Sequence, residues 1–510
     1  MFAKLSSLGT RGLDGFVVTV EADISGGLPQ FAIVGLPDSA VKEATDRVRS
    51  ALKNLGYTFP VSRITVNLAP ADVRKTGPVY DLPVLLGLLA ASEQLPVPPP
   101  DHAFIGELSL DGKVRSVRGV LPMALACLGQ GIRHLFLPRE NAAEAAAVEG
   151  LSVYPVDDAA QVAAHLKGEA LITPAGTFEG GEAQSSTLPD FADVHGQPEA
   201  RRALEVAAVG GHNVLLVGPP GAGKSMLAKR IPGILPPMSQ AERIETSKIY
   251  SVAGLLKTDG AEGPLLSARP FRAPHHTLSA PALVGGSANL RPGEVSLAHG
   301  GVLFLDELPE FRREALEALR QPLEDATVTV SRVAGSVTYP CNFMLVAAMN
   351  PCPCGYFGHP ARECRCQLPA IDRYLQKVSG PLLDRIDMHV DVQPVAYEEI
   401  SARQGGEGSA AIRKRVLEAR AFMEARAKDG TPNGMLAGDR LRADCDLTPA
   451  AEGMLEKAFE KLGLSARAYD RVLRATRSIA DLAGEKRVEV QHVSEAVQYR
   501  NLERKYWYTR

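Results

Sequence analysis

The sequence contains no run of about 18 apolar residues, the length a membrane-crossing helix requires. Residues 1–10 likewise lack the apolar core of a secretory leader, so the expectation is a cytoplasmic protein without a membrane partner. A surplus of positive charge is missing too: 56 Lys and Arg face 59 Asp and Glu, a net charge of −3 with an isoelectric point near 6.4. The global balance therefore does not by itself point to nucleic acid. No short internal repeat of the solenoid kind is present. Cysteine is scarce, with seven in the chain, yet four of them fall between positions 352 and 366.

What the chain does have begins at residues 218–225, which read Gly218, Pro219, Pro220, Gly221, Ala222, Gly223, Lys224, Ser225. An apolar run precedes them and a helix-like stretch follows, the strand–loop–helix setting of a phosphate-binding P-loop. Glycines let backbone N–H groups turn inward onto phosphate oxygens, Lys224 reaches the β- and γ-phosphates, and the Ser225 hydroxyl holds Mg²⁺. A second motif states what is done with the nucleotide. Residues 302–307 form a short buried strand ending in Asp306 and Glu307. Asp306 is placed to orient hydrated Mg²⁺ behind Ser225, and Glu307 to polarise the attacking water, so the chain reads as an ATPase. A further apolar strand, 342–350, ends in Asn350, which is suited to the γ-phosphate or the lytic water and is also an ordinary turn residue.

The four clustered cysteines, Cys352, Cys354, Cys364 and Cys366, are arranged as two Cys-x-Cys pairs nine residues apart, with Gly355, Gly358 and Pro360 between them. Four thiolates so spaced suit a structural, tetrahedral Zn²⁺; disulfides are the main alternative. Cys127, Cys341 and Cys445 read as packed singles.

The order of P-loop, Asp-Glu strand, Asn strand, Leu-Leu-Asp-Arg at 382–385 and Ser-x-Arg at 465–467 resembles the AAA+ ATPases. That resemblance makes Arg385 the finger offered to a neighbouring subunit's nucleotide and Arg467 a second sensor on a helical lid, with Arg471 as the next choice. A finger acts by neutralising charge on the transferred phosphoryl group, so a finger acting in trans requires an oligomer. Residues 269–277, 282–286 and 292–299, together with a β-hairpin expected over 326–338 and turning near Ala334 and Gly335, are similar to the pore hairpins of the magnesium-chelatase and MCM branch. Nearly the whole chain resembles the bacterial magnesium-chelatase-like AAA+ family of the ComM (YifB) type. Membership implies ATP and Mg²⁺ as cofactors and a homohexameric ring. It further implies a DNA translocase, acting on single-stranded and branched DNA, that promotes branch migration during recombination of incoming DNA. The alternatives are the ATPase subunit of a magnesium chelatase and an ATP-dependent protein unfoldase.

The first part resembles the proteolytic domain of Lon proteases, with α+β strands and helices expected at 16–22, 39–53 and 63–68. Where Lon carries its serine and lysine this chain has Val79 and Leu121, which supply neither nucleophile nor base. The expected fold is thus multi-domain α/β: a non-catalytic Lon-like domain (1–165), serving ring assembly or nucleic-acid binding, a linker (166–189), an AAA+ core (190–400) and a helical lid (401–510). From 461 to 510, eleven Lys and Arg outnumber six Asp and Glu, which either attracts phosphates or forms a solvated helical face. Adjacent His275 and His276 read as hairpin or pore-substrate contacts rather than metal ligands. The aromatic tail Tyr506, Trp507 and Tyr508 either stacks on bases or docks on a helix.

Overall fold

The computed structural model describes all residues except 177–187, 257–262, 287–289, 333–334, 396–405, 428–429 and 509–510, with the side chains of 503, 504 and 508 also outside the description. The expected hairpin tip at Ala334 and residues 177–187 of the expected linker lie outside the described residues.

The chain forms two compact units. The first comprises Met1–Ala183 together with Gln240–Ser267. Its strands are β1 (Phe2–Arg11), β2 (Asp14–Ser25), β3 (Gln30–Val34), β4 (Arg63–Ala69), β5 (His102–Phe104), the short β6 (Glu107–Leu108) and β7 (Val114–Arg115), β8 (His134–Pro138) and β9 (Ser152–Val156). Seven of them make one sheet in the order β3-β4-β2-β1-β5-β8-β9. The β4-β2-β1 part is antiparallel, whereas β1, β5, β8 and β9 run parallel. Strict alternation in β4, where Ile64, Val66 and Leu68 are buried, fits a sheet with one face on the core. The helix Ala44–Asn54 buries Ala44, Val48, Ala51 and Leu52, a stripe at helical spacing, while every residue of the helix Asp81–Ala91 is buried.

The segment Gln240–Ser267 follows the P-loop in sequence and belongs to this first unit. Its helix, Gln240–Ala253, packs on the helix Val120–Gly129, and Leu265 joins the same apolar cluster with Ile244 packed against it. Polar groups fix the join. The backbone N–H of Gly119 donates to the Ser251 carbonyl at 3.0 Å and that of Leu121 to Ser251 Oγ at 3.3 Å. Ser251 Oγ in turn donates to Glu144 Oε2 at 2.7 Å, and Asn141 Nδ2 to Glu144 Oε1 at 2.8 Å. Ser251 thus caps the first turn of the helix Val120–Gly129, whose leading N–H groups lack intrahelical partners.

The second unit comprises Gln184–Ser239 and Ala268–Arg510. Its strands are β10 (Val214–Val217), β11 (Phe271–Arg272), β12 (Val302–Leu305), β13 (Thr327–Arg332), β14 (Gly335–Pro340), β15 (Met344–Met349) and β16 (Met388–Asp391). Five form an all-parallel sheet, β11-β12-β15-β10-β16. Every residue of β10, β12 and β15 is buried, which is why those strands read as continuous apolar runs rather than alternations. The antiparallel pair β13 and β14 closes with Arg332 opposite Gly335. Helices Ser409–Arg426, Pro449–Leu462, Ala466–Leu482 and Val490–Gln498 bury Val416, Leu455, Leu473 and Val493 in the same core cluster as the sheet. Among the described residues no helix is long and apolar enough to cross a membrane.

Candidate nucleotide site and arginine cleft

Strand β10 delivers the chain into the loop 218–223, and the helix Lys224–Ala228 leaves it. Gly221 and Gly223 have φ of +79° and +90°, a region open to glycine with little strain. Lys224 Nζ donates to the carbonyls of Gly218 (2.7 Å) and Pro219 (2.9 Å) and to Asn350 Oδ1 (3.1 Å), so the ends of β10 and β15 share one ammonium. Burial lowers the Lys224 pKa to about 8, with Asp306 opposing the shift.

From the end of β12, Asp306 Oδ2 accepts from Ser225 Oγ at 2.6 Å, and Asp306 Oδ1 accepts from the Glu307 N–H at 2.9 Å. A hydroxyl and a carboxylate side by side are the hard oxygen donors that Mg²⁺ prefers. Glu307 holds a left-handed backbone, φ 53° and ψ 46°, unusual for a residue with a Cβ and frequent at functional sites. That turn leaves its carboxylate more than half exposed, 3.2 Å from His276 Nδ1. His276 follows β11, the strand hydrogen-bonded to β12, so sheet order brings two distant motifs together. The sequence reading set His276 aside from the catalytic group. The one available signal was its place shortly after Phe271 and Arg272, the dipeptide that becomes an edge strand.

Lys224, Ser225, Asp306, Glu307 and Asn350 converge at the carboxyl ends of the strands, where open parallel sheets place ligands. The arginines do not join them. Arg385, Arg467, Arg471 and Arg474 line a cleft of about 440 Å³ whose wall includes Asn213, Asn342, Phe343 and Asp387, residues at the amino ends of β10, β15 and β16. Since β10 alone is four residues long, about 13 Å of sheet intervenes. Arg385 Nη1 donates to the Pro381 carbonyl at 2.7 Å and Nη2 to the Glu324 carboxylate, while its buried Nε makes no hydrogen bond. Arg467 is exposed. Arg471 is buried 3.6 Å from Asp387 Oδ1, and burial brings its pKa down to about 10 against the pull of Asp387. Arg477, one helical turn further, is fully buried on Asp481 and lies outside this cleft's lining.

The four cysteines converge. Sγ atoms of Cys352, Cys354 and Cys364 lie 3.4 to 3.6 Å apart, and all four ligand atoms fall within 4.8 Å of one another. Tetrahedral zinc with bonds near 2.3 Å sets sulfur–sulfur edges of roughly 3.8 Å, so the group fits the metal with small adjustments. Backbone N–H groups of Phe357 and Cys366 donate to Cys352 Sγ and Cys364 Sγ, as a thiolate cluster requires. The loop leans on the P-loop: a Cβ on Gly355 would come within 2.4 Å of Pro220 Cδ. On its other side Phe357 meets Tyr506 edge-on, and Trp507 Nε1 donates to the Leu375 carbonyl. Tyr506 is buried, so two of the three tail aromatics are engaged within the unit rather than free to stack on bases.

In the first unit, Val79 and Leu121 are both buried in the apolar core, with no nucleophile or base in either place.

Comparison with known proteins identifies the family. Residues 190–400 match the family model for magnesium chelatase, subunit ChlI; 20–141 match that for subunit ChlI of Mg-chelatase, and 406–500 that for the ChlI C-terminal region. The competence protein ComM of Haemophilus influenzae is 44% identical over 98% of both chains, and YifB of Escherichia coli is 43% identical over 98% of both. The chain belongs to the ComM and YifB family of magnesium-chelatase-like proteins. A weaker likeness, 30% identity over 27% of the chain, connects it to Lon protease 3 of Sorangium cellulosum. The competence relative and the chain match end to end, so family membership covers both units.

Proposed function

We propose that this protein is a ring-forming ATPase that translocates along DNA and drives branch migration while incoming DNA is recombined. The observation that carries the reading is the separation of hydrolytic groups and arginines onto opposite ends of one parallel sheet. In a closed homo-oligomer, a hexamer by family resemblance, the arginine end of one subunit would face the P-loop end of the next. Arg385 and Arg467 would then reach a neighbour's nucleotide rather than their own.

Within each subunit, the loop 218–223 cradles phosphate and Lys224 exchanges its carbonyl and Asn350 partners for phosphate oxygens. Ser225 and Asp306 would hold Mg²⁺, which when bound would screen the phosphate charge. Glu307 takes a proton from the attacking water, and His276 restrains that carboxylate from the turn that follows β11. Motion of the β13 and β14 hairpin along the strand would convert hydrolysis into transport. The hairpin's Arg332 donates to the Gly286 carbonyl at 2.6 Å, giving it a grip on the chain that follows His276. Zinc on the four cysteines would brace the P-loop through Gly355.

Competence in the name of the Haemophilus relative supports incoming DNA as the substrate. The deciding experiment is ATP-dependent unwinding of forked or Holliday-junction DNA by the purified chain, lost in Lys224→Ala and Glu307→Gln. Failure to bind DNA, with hydrolysis unaffected by DNA, rejects the reading. Ion insertion into a porphyrin or ATP-dependent unfolding of a protein would then identify the chelatase or unfoldase alternative.

A further inference from the structure

The parallel edge of the first unit brings Asp101, His102 and His134 together. Strands β5 and β8 pair in parallel register with His102 opposite His134, which places both imidazoles on one face of the sheet. Their rings lie 4.5 Å apart. Asp101 stands at the mouth of β5, directly after Pro98, Pro99 and Pro100. Its carbonyl accepts from the N–H groups of both Arg133 (2.9 Å) and His134 (3.1 Å), so its backbone is pinned to β8. Asp101 Oδ1 lies 2.8 Å from His102 Nδ1 and Oδ2 3.6 Å from His134 Nε2. The ligand atoms of the three side chains all lie within 4.8 Å of one another, and none of the three residues is fully buried.

We infer that Asp101, His102 and His134 form a binding site for a borderline transition-metal dication such as Zn²⁺, independent of the four-cysteine loop. Two nitrogens and one carboxylate oxygen are the donor set such ions select. Bonds of 2.0 to 2.1 Å give tetrahedral edges of roughly 3.3 Å, so the three ligand atoms, all within 4.8 Å of one another, need only small adjustments to close on an ion. Three protein ligands leave a fourth position for water or an added ligand. The surroundings orient the ligands as well. The Tyr154 hydroxyl lies 3.0 Å from His134 Nδ1, which leaves Nε2 as the coordinating nitrogen and supplies the outer hydrogen bond that metal-bound histidines usually carry. Beneath the site, Phe136 stacks on Tyr154 and on His102, with His165 edge-on to both Phe136 and Tyr154.

Full-length protein stripped with chelator and reloaded with Co²⁺ tests the assignment. Cobalt on thiolates absorbs strongly in the near ultraviolet, whereas cobalt on imidazole and carboxylate adds only weak visible bands. Bound metal is counted after desalting. His134→Gln and Asp101→Asn should each hold one cobalt fewer than the unmutated chain, with the thiolate absorption unchanged. Tyr154→Phe keeps every ligand and should weaken that same equivalent by about 10- to 100-fold. Equal cobalt counts and affinities in the unmutated chain and His134→Gln overturn the site and leave a hydrogen-bonded cluster. Should a variant fold poorly, Cu²⁺ bound to the unmutated protein gives the answer by electron paramagnetic resonance: nitrogen splitting from imidazole supports the site, and its absence refutes it.

Discussion

The two ends of the ATPase sheet are built on different terms. At the carboxyl ends, Lys224 with Asn350 and Ser225 with Asp306 satisfy one another across strands within a single chain. At the amino ends, Arg385 rests on Glu324 and Arg471 on Asp387, with an open cleft before them and Arg467 exposed. One end is organised to receive a nucleotide; the other holds cationic groups on acidic rests from which a stronger anion could draw them. Under the proposed function, the difference gives each subunit two halves of a reaction centre at opposite ends of one sheet.

The most severe way to break that pairing is Arg385→Ala, expected to lower the hydrolysis rate by about 10³-fold or more while leaving ATP affinity near normal. Mixing it with Lys224→Ala subunits should restore part of the activity, because some interfaces then combine an intact finger with an intact P-loop. Steady-state turnover at varied mixing ratios reads this, and no recovery at any ratio would place the finger in cis. Next in size, Glu307→Gln should cost about 10²-fold or more in turnover, with nucleotide binding retained in an equilibrium titration.

These two predictions differ in how far the sequence alone supports them. The P-loop, the Asp306 and Glu307 pair and Asn350 were legible because each is a local signature at the end of an apolar run. The β-strands at 14–25 and 63–69 and the helices at 39–42 and 44–54 fall where period and composition place them. The location of the arginines was not legible. Arg467 follows a good helix cap at Ser465, but which end of the sheet that helix faces depends on chain reversal over more than two hundred residues. The pairing of His276 with Glu307 was hidden for a similar reason: β11 is two residues long, too short for any period to announce it. Nor does composition mark 240–267 as part of the first unit, since Ile244, Ile249 and Leu265 would suit either core equally.

A smaller effect sharpens the nucleotide end. With Lys224 titrating at about 8, the free protein loses its ammonium as pH rises past that value, and the ammonium is the form phosphate requires. The value of kcat/KM for ATP should therefore fall above pH 8, approaching about tenfold per pH unit. A flat profile to pH 9.5 would show that the side chain stays charged. Smallest is His276→Ala: a half-exposed pair worth at most about 1 kcal/mol restrains Glu307. Freeing the carboxylate should raise hydrolysis in the absence of DNA by up to about fivefold and, on the proposed function, narrow the difference between hydrolysis with and without DNA. A rate that drops instead would make His276 a support for Glu307 rather than a brake.

Because the first unit draws its helix Gln240–Ala253 from beyond the P-loop, it cannot be cut free as an amino-terminal fragment. Ending the polypeptide at Ala183 would strip Ser251 from Gly119 and Leu121 and bare the apolar flank that Leu265 covers. Ribosomal synthesis meets the same constraint: the leading unit stays unfinished until the loop at 218–225 has already emerged, so the two units of this protein must mature together.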